Sequence, residues 1–239
     1  MHETPGGTTA VDGNAILIDD DGQGYIAYSV ISPNISKSPH GKPANHMVNI
    51  MKLSADYTST MKQSAIANLF PDTFMEGVMI FKRKCRYYIV ASSCCCTCRQ
   101  GSGAVIYSAA SIAGPWVRQA RDTNCQADAP ICMGGTLSAG NPERPKNQNT
   151  VKAQGLGLSV IPTAGGNEYI WHGERWLSGP HNPKGCPSLC DPISKAPCVQ
   201  SKGYNKGHDF TYWIPLKFDK NGIVQQFEPF VDSFELQLV

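Results

Sequence analysis

The chain has 239 residues, and its 21 lysines and arginines nearly balance 19 aspartates and glutamates. The net charge of +2 gives no electrostatic footprint for nucleic acid or an anionic membrane, and we expect neither as a partner. With 41% hydrophobic and 17% charged residues the chain can bury a core, but no run approaches the roughly 18 apolar residues of a membrane-spanning helix. The 23 glycines and 17 prolines favour tight turns over long helices.

An apolar segment, a polar or glycine-rich turn and a second apolar segment occur together four times along the chain. The second segment opens with a tyrosine in the first three units, and the fourth unit is partial. The units cover residues 15–29, 78–92, 157–173 and 211–224. This repeat predicts an all-β chain of antiparallel hairpins, arranged as radial blades or as a sandwich. Long polar inserts at 32–45, 122–152 and 177–207 separate the hairpins, and such loops often carry a binding site.

Ten cysteines are many for a cytosolic protein of this length. Cys186, Cys190 and Cys198 lie in a loop rich in proline and glycine, where disulfide bonds are the simplest explanation. Cys95 and Cys98 have the spacing of zinc ligands, which is the alternative, but no second pair completes a site. The cysteines favour an extracellular or secretory-pathway protein, although the first residues do not resemble a signal peptide. A chain truncated at its N-terminus would reconcile the two observations.

Five motifs carry a resemblance to one enzyme family. Residues 76–92, EGVMIFKRKCRYYIVAS, resemble the general-acid blade of glycoside hydrolase family 43, in which a glutamate leads a strand and paired tyrosines follow. The DDDG turn at 19–22 and the strand that ends in GPW at 114–116 are similar to other parts of that family. WHGERW at 171–176 and YWIPL at 212–216 resemble signatures of its exo-β-1,3-galactanase branch.

The resemblance implies a five-bladed β-propeller with the active site at one end of its axis. The motifs account for about four blades, so we predict a single, partial propeller domain over residues 1–239 whose first blade is absent. In most family members that blade carries the aspartate that serves as general base.

Glu76 is the predicted general acid of an inverting glycosidase, a reaction that needs one carboxylic acid to protonate the leaving oxygen and a base to activate water. The alternative is a salt-bridged glutamate at the start of a strand. The resemblance implies that Asp12 orients the acid, but Asp12 lies one residue further from Asp19 than the family pattern requires. A bulge near Gly13 is needed to restore the direction of its side chain, and without it Asp12 is a turn residue.

Gln154 is the third predicted catalytic residue, because some galactanase-like members place a glutamine near the position of the base. Its amide could hold the attacking water; the alternative is a loop glutamine that binds backbone groups. The aspartates before Gly22 predict a polar hairpin turn in preference to a calcium site.

The predicted substrate-binding residues are Arg175, Trp176, Tyr212, Trp213 and His208. Aromatic rings suit the faces of sugar rings, although some of these must belong to the core. Family members often place a histidine at the position of His208, sometimes beside a cation. We predict no catalytic metal or cofactor, with a structural cation at the axis as the alternative.

These features together predict a monomeric glycosidase that cleaves plant or algal polysaccharide side chains. Galactan is preferred over xylan or arabinan on the two branch signatures alone. The alternatives are a carbohydrate-binding propeller that has lost its general base, and a propeller fragment without a function of its own.

Overall fold

A computed structural model of the chain describes residues 9–31, 46–69, 75–92, 104–119, 151–176, 178, 209–228 and 232–239. Within these ranges the protein is built of β-strands and contains no helix, so no helix there could cross a membrane. The all-β prediction is confirmed in this part of the chain. The strands are β1 (Thr9–Ile18), β2 (Gly24–Ile31), β3 (His46–Leu53), β4 (Thr60–Leu69), β5 (Glu76–Arg83), β6 (Arg86–Ser92), β7 (Ala104–Ala109), β8 (Val117–Arg118), β9 (Gln154–Thr163), β10 (Gly166–Arg175) and β11 (Phe210–Pro215).

Three antiparallel sheets contain all of these strands. The first sheet has the order β1-β2-β3-β4, the second β5-β6-β7-β8 and the third β11-β10-β9. The first three predicted hairpins are β1–β2, β5–β6 and β9–β10, and each opens a sheet. Their turns contain residues with positive φ, Gly22 at 81°, Lys84 at 54° and Gly166 at 113°, as tight hairpin turns require.

The fourth predicted hairpin is divided in the structure. Its first strand, β11, pairs with β10 and so extends the third sheet. The turn at Asp219 and Gly222 forms as predicted, but only a single bridge between Phe218 and Val224 follows it. The four repeats therefore correspond to three sheets within the described ranges, and the number of blades stays a prediction.

The inner strands β1, β5 and β9 pack against one another, and the sheets extend outward from them. Because β5 lies between two sheets, both of its faces are apolar, which explains its unbroken apolar run. Val78 and Ile80 pack into the core between the first and second sheets. Met79 and Phe81 point the other way, into the core shared with the third sheet. Each fully buried side chain of this size stabilises the fold by about 1.5–3 kcal/mol.

The three inner strands run in the same direction. Near their C-terminal ends the Lys82 ammonium group, on β5, binds the Asp19 carboxylate that follows β1. At the same level the Tyr169 hydroxyl, on β10, donates to the Lys82 carbonyl at 2.9 Å. A cavity of about 600 Å³ opens at this end, lined in part by Ile16, Ile18 and Val160. The predicted catalytic residues lie at the opposite end of the strands.

Candidate functional site

Each inner strand carries an extra residue just after a predicted catalytic residue. On β1 one extra residue follows Asp12, and on β5 one follows Glu76, relative to the strands with which they pair. On β9 the extra residue is Leu156, two positions after Gln154. Such β-bulges are common beside active sites, because they redirect a side chain and interrupt the regular pairing.

Counting residues from a shared contact places Asp12 and Glu76 at the same level of the molecule. Asp19 and Lys82 are in contact, and Asp12 lies seven residues before Asp19 while Glu76 lies six residues before Lys82. Strands of similar rise therefore bring both residues to the N-terminal end of the inner strands. The bulge after Asp12 encloses Gly13, which is the irregularity that the prediction required. The side chain of Asp12 lies outside the described part of the structure, so its role stays a prediction.

Glu76 and Gln154 are brought into direct contact. The amide nitrogen Nε2 of Gln154 donates a hydrogen bond to the carboxylate oxygen Oε2 of Glu76 at 3.0 Å. Behind Gln154, the indole N–H of Trp176 donates to its amide oxygen Oε1 at 2.7 Å. Gln154 is 2% exposed and Glu76 is half-buried. Two predicted catalytic residues from different sheets thus share one polar contact, whereas a loop glutamine bound to backbone is not what the structure shows.

Glycines allow this contact to form. Asp12, Glu76 and Gln154 are each followed by a glycine. Gly77 has a φ of 54°, and a Cβ atom on it would stand 2.1 Å from the carbonyl oxygen of Gly155. The two strands therefore approach more closely at this point than any side chain permits.

Ser92 ties the same two strands together. It pairs with Glu76 across β5 and β6, and its hydroxyl donates to the Gly155 carbonyl at 3.1 Å. Ser92 is buried, so this hydrogen bond is shielded from water. The hairpin that carries Glu76 is thus anchored to the residue after Gln154.

The structure separates the predicted sugar-stacking residues into two groups. Tyr212 is buried in the core between the second and third sheets, and Trp176 is 8% exposed. Their burial argues against a stacking role for either ring. Trp213 is 46% exposed and stacks on His172, with ring centroids 5.1 Å apart. Arg175 is half-buried at the end of β10, next to Trp176.

Several predictions fall on parts of the chain that the structure does not describe. His208 lies outside the described residues, as do all the cysteines except Cys85, which is exposed and has a free thiol. Asp209, next to His208, accepts a hydrogen bond from the Ser178 backbone at 2.9 Å. Among the residues that are described, no group of three histidine, cysteine or acidic side chains could hold a metal ion. The disulfide and structural-cation predictions are untested by these observations.

The DDDG turn has a partner that the sequence did not indicate. The Asp19 carboxylate accepts hydrogen bonds from the Lys82 ammonium group and the Tyr87 hydroxyl. Burial raises the pKa of Asp19, but these hydrogen bonds outweigh it, and the net shift is downward. The paired carboxylates of Asp19 and Asp20 in turn raise the pKa of Lys82. The first aspartate of the turn therefore links the first sheet to the second.

Sequence reasoning missed three polar residues near the site. Ser92 is one, and Glu174, a buried carboxylate that pairs in register with Gln154, is another. His172 lies over Gly157 beside Trp213, and burial lowers its pKa. A usable signal for the site was present, since each predicted catalytic residue begins a carboxylate–glycine or amide–glycine pair.

No protein-family profile matches the sequence, and no curated protein is detectably similar to it. Solved structures do match its fold. An exo-β-1,3-galactanase from Clostridium thermocellum superposes with a TM-score of 0.57 at 16% identity, over 92% of this chain and 34% of the other. A family 43 β-1,3-galactosidase, solved with galactodeoxynojirimycin, gives 0.55 at 18% identity, over 95% and 48%.

A third similar structure is an exo-β-1,3-galactanase from Phanerochaete chrysosporium bound to β-1,3-galactotriose. It gives a TM-score of 0.52 at 20% identity, over 92% of this chain and 36% of the other. The chain thus spans about a third to a half of the length of these three proteins. At these identities the likeness is one of fold, and the chain has a fold similar to that of glycoside hydrolases of family 43.

Proposed function

We propose that the protein is a glycoside hydrolase and that Glu76 is its general acid. The observation that carries the proposal is the contact between Glu76 and Gln154 at the bulged ends of β5 and β9, where Asp12 also arrives on β1. Polar side chains from separate sheets rarely meet in a core unless their chemistry is used or their hydrogen bonds are satisfied. The fold also supports the proposal, because structures with a similar fold are galactanases and a galactosidase.

Glu76 is suited to an acid role by its position. It is half-buried at the start of a strand and has one carboxylate oxygen, Oε2, engaged by Gln154. In an inverting mechanism the carboxylic acid would give its proton to the leaving glycosidic oxygen while a base activates water on the opposite face of the sugar. We propose that Asp12 orients Glu76.

The role predicted for Gln154, holding the attacking water, stays a proposal. Acid and base stand roughly 6.5–9.5 Å apart in inverting enzymes, so that water and sugar fit between them. Here the two side chains are 3.0 Å apart. A catalytic arrangement of this kind would place the two groups further apart than they are in this structure.

We further propose that the three sheets are blades of a β-propeller of the five-bladed type, with β1, β5 and β9 lining its axis. The common direction of the inner strands and the outward order of each sheet support this arrangement. The prediction of about four blades in a single domain is part of the proposal. The described residues form three sheets, each of which would be one blade.

For the substrate we propose a polysaccharide side chain, with β-1,3-galactan ahead of xylan or arabinan. The WHGERW and YWIPL motifs support this order, and so do the names of the similar structures. Trp213 is the exposed aromatic ring that could stack on a sugar, and Arg175 and His208 are the proposed polar contacts. A secreted, monomeric protein is part of the same proposal.

A screen of hydrolysis with stereochemical analysis tests the proposal. We expect the protein to release galactose from β-1,3-galactobiose faster than it cleaves β-1,4-xylobiose or an arabinobiose. Proton NMR during the first turnovers should show the α-anomer of galactose, because one displacement inverts a β-linkage. First appearance of the β-anomer would contradict the inverting mechanism, and no hydrolysis of any of the three would contradict the function.

The close contact at the site favours a second candidate, a carbohydrate-binding propeller without a base. Glutamine is a poor base in ordinary chemistry, and the amide nitrogen of Gln154 is already bound to the carboxylate of Glu76. Isothermal titration with β-1,3-galactotriose separates the two functions. Binding without turnover over days supports the second candidate, whereas turnover during the titration excludes it.

A further inference from the structure

An exposed aromatic ring lies on the face of the third sheet that is turned away from the second sheet. On β11, the buried side chains of Tyr212 and Ile214 belong to the core that the third sheet shares with the second. Because side chains alternate along a strand, Trp213 between them points to the opposite face. Glu76 lies on β5 in the second sheet, so Trp213 is directed away from it. A sugar stacked on Trp213 is therefore not the sugar whose bond lies at Glu76.

The indole ring of Trp213 is supported by two residues in register with it. His172 pairs with Trp213 on β11 and with Gly157 on β9. The imidazole and indole rings stack with their centroids 5.1 Å apart and their planes at 25°. A Cβ atom on Gly157 would stand 2.0 Å from the Cε1 atom of His172, so the imidazole rests directly on the Gly157 backbone. Trp213 thus has a firm support on one side and is still 46% exposed.

The surroundings of this ring are polar and carry balanced charge. Thr211, two residues before Trp213, is exposed on the same face of β11. At the other end of the strand a cavity of about 220 Å³ is lined in part by Lys217, Gln226 and Glu228. The Lys217 ammonium group binds the Glu228 carboxylate, so this pair adds no net charge. Hydroxyl, amide and charged groups beside an exposed ring offer both donors and acceptors to an uncharged ligand.

A carbohydrate fits this combination better than a protein surface does. The face of a sugar ring presents C–H groups that pack on an indole, and its edge presents hydroxyl groups that need polar partners. A protein partner would leave polar neighbours such as Thr211 without water, at a cost in free energy unless it supplied matching groups.

We propose that Trp213, supported by His172, forms a second carbohydrate-binding site, separate from the cleavage site at Glu76. Its ligand is a neutral oligosaccharide chain, and the choice of β-1,3-galactan among such chains rests on the proposed function. The site would hold one part of a polysaccharide while another part is cleaved.

Two indole N–H resonances report separately on the two sites in an NMR titration with β-1,3-galactotriose. The Trp176 indole donates to Gln154 and so reports on the cleavage site, whereas the Trp213 indole reports on the proposed second site. Each resonance is assigned by its loss in Trp176→Phe or Trp213→Phe. In the Glu76→Gln protein, which should bind the ligand without consuming it, we expect both resonances to shift, with different Kd values.

Three variants of the Glu76→Gln protein test the structure of the second site. Trp213→Ala should abolish one of two sites found by isothermal titration, or weaken it at least about 10-fold, because a central aromatic ring carries much of the affinity. His172→Ala should raise the Kd reported by Trp213 by about 3- to 10-fold, because the ring loses its stacking partner. Phe210→Ala is the matched control: Phe210 is on the same strand and 57% exposed, but it lies on the opposite face, so the Kd should not change.

The titration separates this proposal from the proposed function. If both resonances follow one Kd, Trp213 lines the cleavage site and the proposal is overturned. A Trp213 resonance that does not respond to the ligand overturns it as well, even for an active enzyme. If the Trp213 resonance responds and the wild-type protein cleaves none of the test substrates, the second site stands and the proposed function fails.

Discussion

At the scale of single residues, Gly77 and Gly155 allow the close approach of the strands that carry Glu76 and Gln154. Gly77 has a positive φ and would place a Cβ atom 2.1 Å from the Gly155 carbonyl oxygen. Gly22 also has a positive φ, of 81°, but a Cβ atom there would meet nothing within 4 Å. Comparing alanine substitutions at Gly77 and Gly22 therefore separates the free-energy cost of a positive φ from the cost of a steric clash.

We expect Gly77→Ala to lower the free energy of unfolding by about 2–5 kcal/mol, as backbone strain and overpacking add. Gly22→Ala should lose only about 1–2 kcal/mol, since it carries the strain alone. Chemical denaturation of both variants measures the difference. Equal losses would show that β5 and β9 do not approach as closely as the structure places them.

The resemblance to a known family indicated Glu76 and Gln154 as candidates, but the contact between them could not be predicted from the sequence. The residues are separated by 78 positions and belong to different sheets. Nor could the aromatic residues be sorted from the sequence, because only packing decides that Trp176 is buried and Trp213 is exposed. A glycine after each predicted catalytic residue can be seen in the sequence. Its role, allowing the strands to approach closely, is evident only from the structure.

At the scale of elements, the turn between β1 and β2 is fastened to the second sheet by Asp19, Lys82 and Tyr87. Three hairpins were predicted correctly because each has a local turn signal between two apolar segments. The fourth differed because β11 finds its partner in β10, and nothing local to residues 211–224 specifies that pairing.

The Asp19 contact predicts an acid-dependent loss of stability. Its pKa is lower in the folded chain than the ordinary value of 3.8, so the carboxylate stabilises the fold above that value, and the contribution is lost as the pH falls through the folded pKa. We expect Asp19→Asn to lower the melting temperature at pH 7 and to flatten its decline below about pH 4.

A double-mutant cycle with Lys82→Met gives the control. If the contact is real, the two single variants and the double variant should show a coupling free energy, because each removes the same ion pair. Additive losses, or an unchanged acid slope in Asp19→Asn, would show that the turn is not fastened in solution.

At the scale of the whole molecule, the inner strands of the three sheets pack against one another, and the candidate site and the 600 Å³ cavity lie at opposite ends of these strands. The long polar inserts that the sequence predicts lie almost wholly outside the described residues. The polar composition of these segments predicts that they are inserts between strands. Because they lack hydrophobic periodicity, their conformation cannot be predicted from the sequence.

The cysteines of these inserts give a test at this scale. For protein made through a secretory route, we expect Cys186, Cys190 and Cys198 to provide at least one disulfide bond, because the sequence around them is rich in proline and glycine and lacks apolar periodicity. Thiol titration under denaturing, non-reducing conditions should then find fewer than the ten thiols of the sequence. Cys85, exposed and free, should react in the native protein and serves as the internal standard. Ten reactive thiols would contradict the prediction.

The central claim, that Glu76 is the proton donor of a glycosidase, is tested most directly by the leaving-group dependence of Glu76→Gln. The variant keeps the shape of the side chain and loses the acidic proton. It should lose at least about 100-fold in kcat/KM on β-1,3-galactobiose, and much less on 2,4-dinitrophenyl β-galactoside. Wild-type rates on both substrates, or the same loss on each, would mean that Glu76 is a structural residue and would contradict the account.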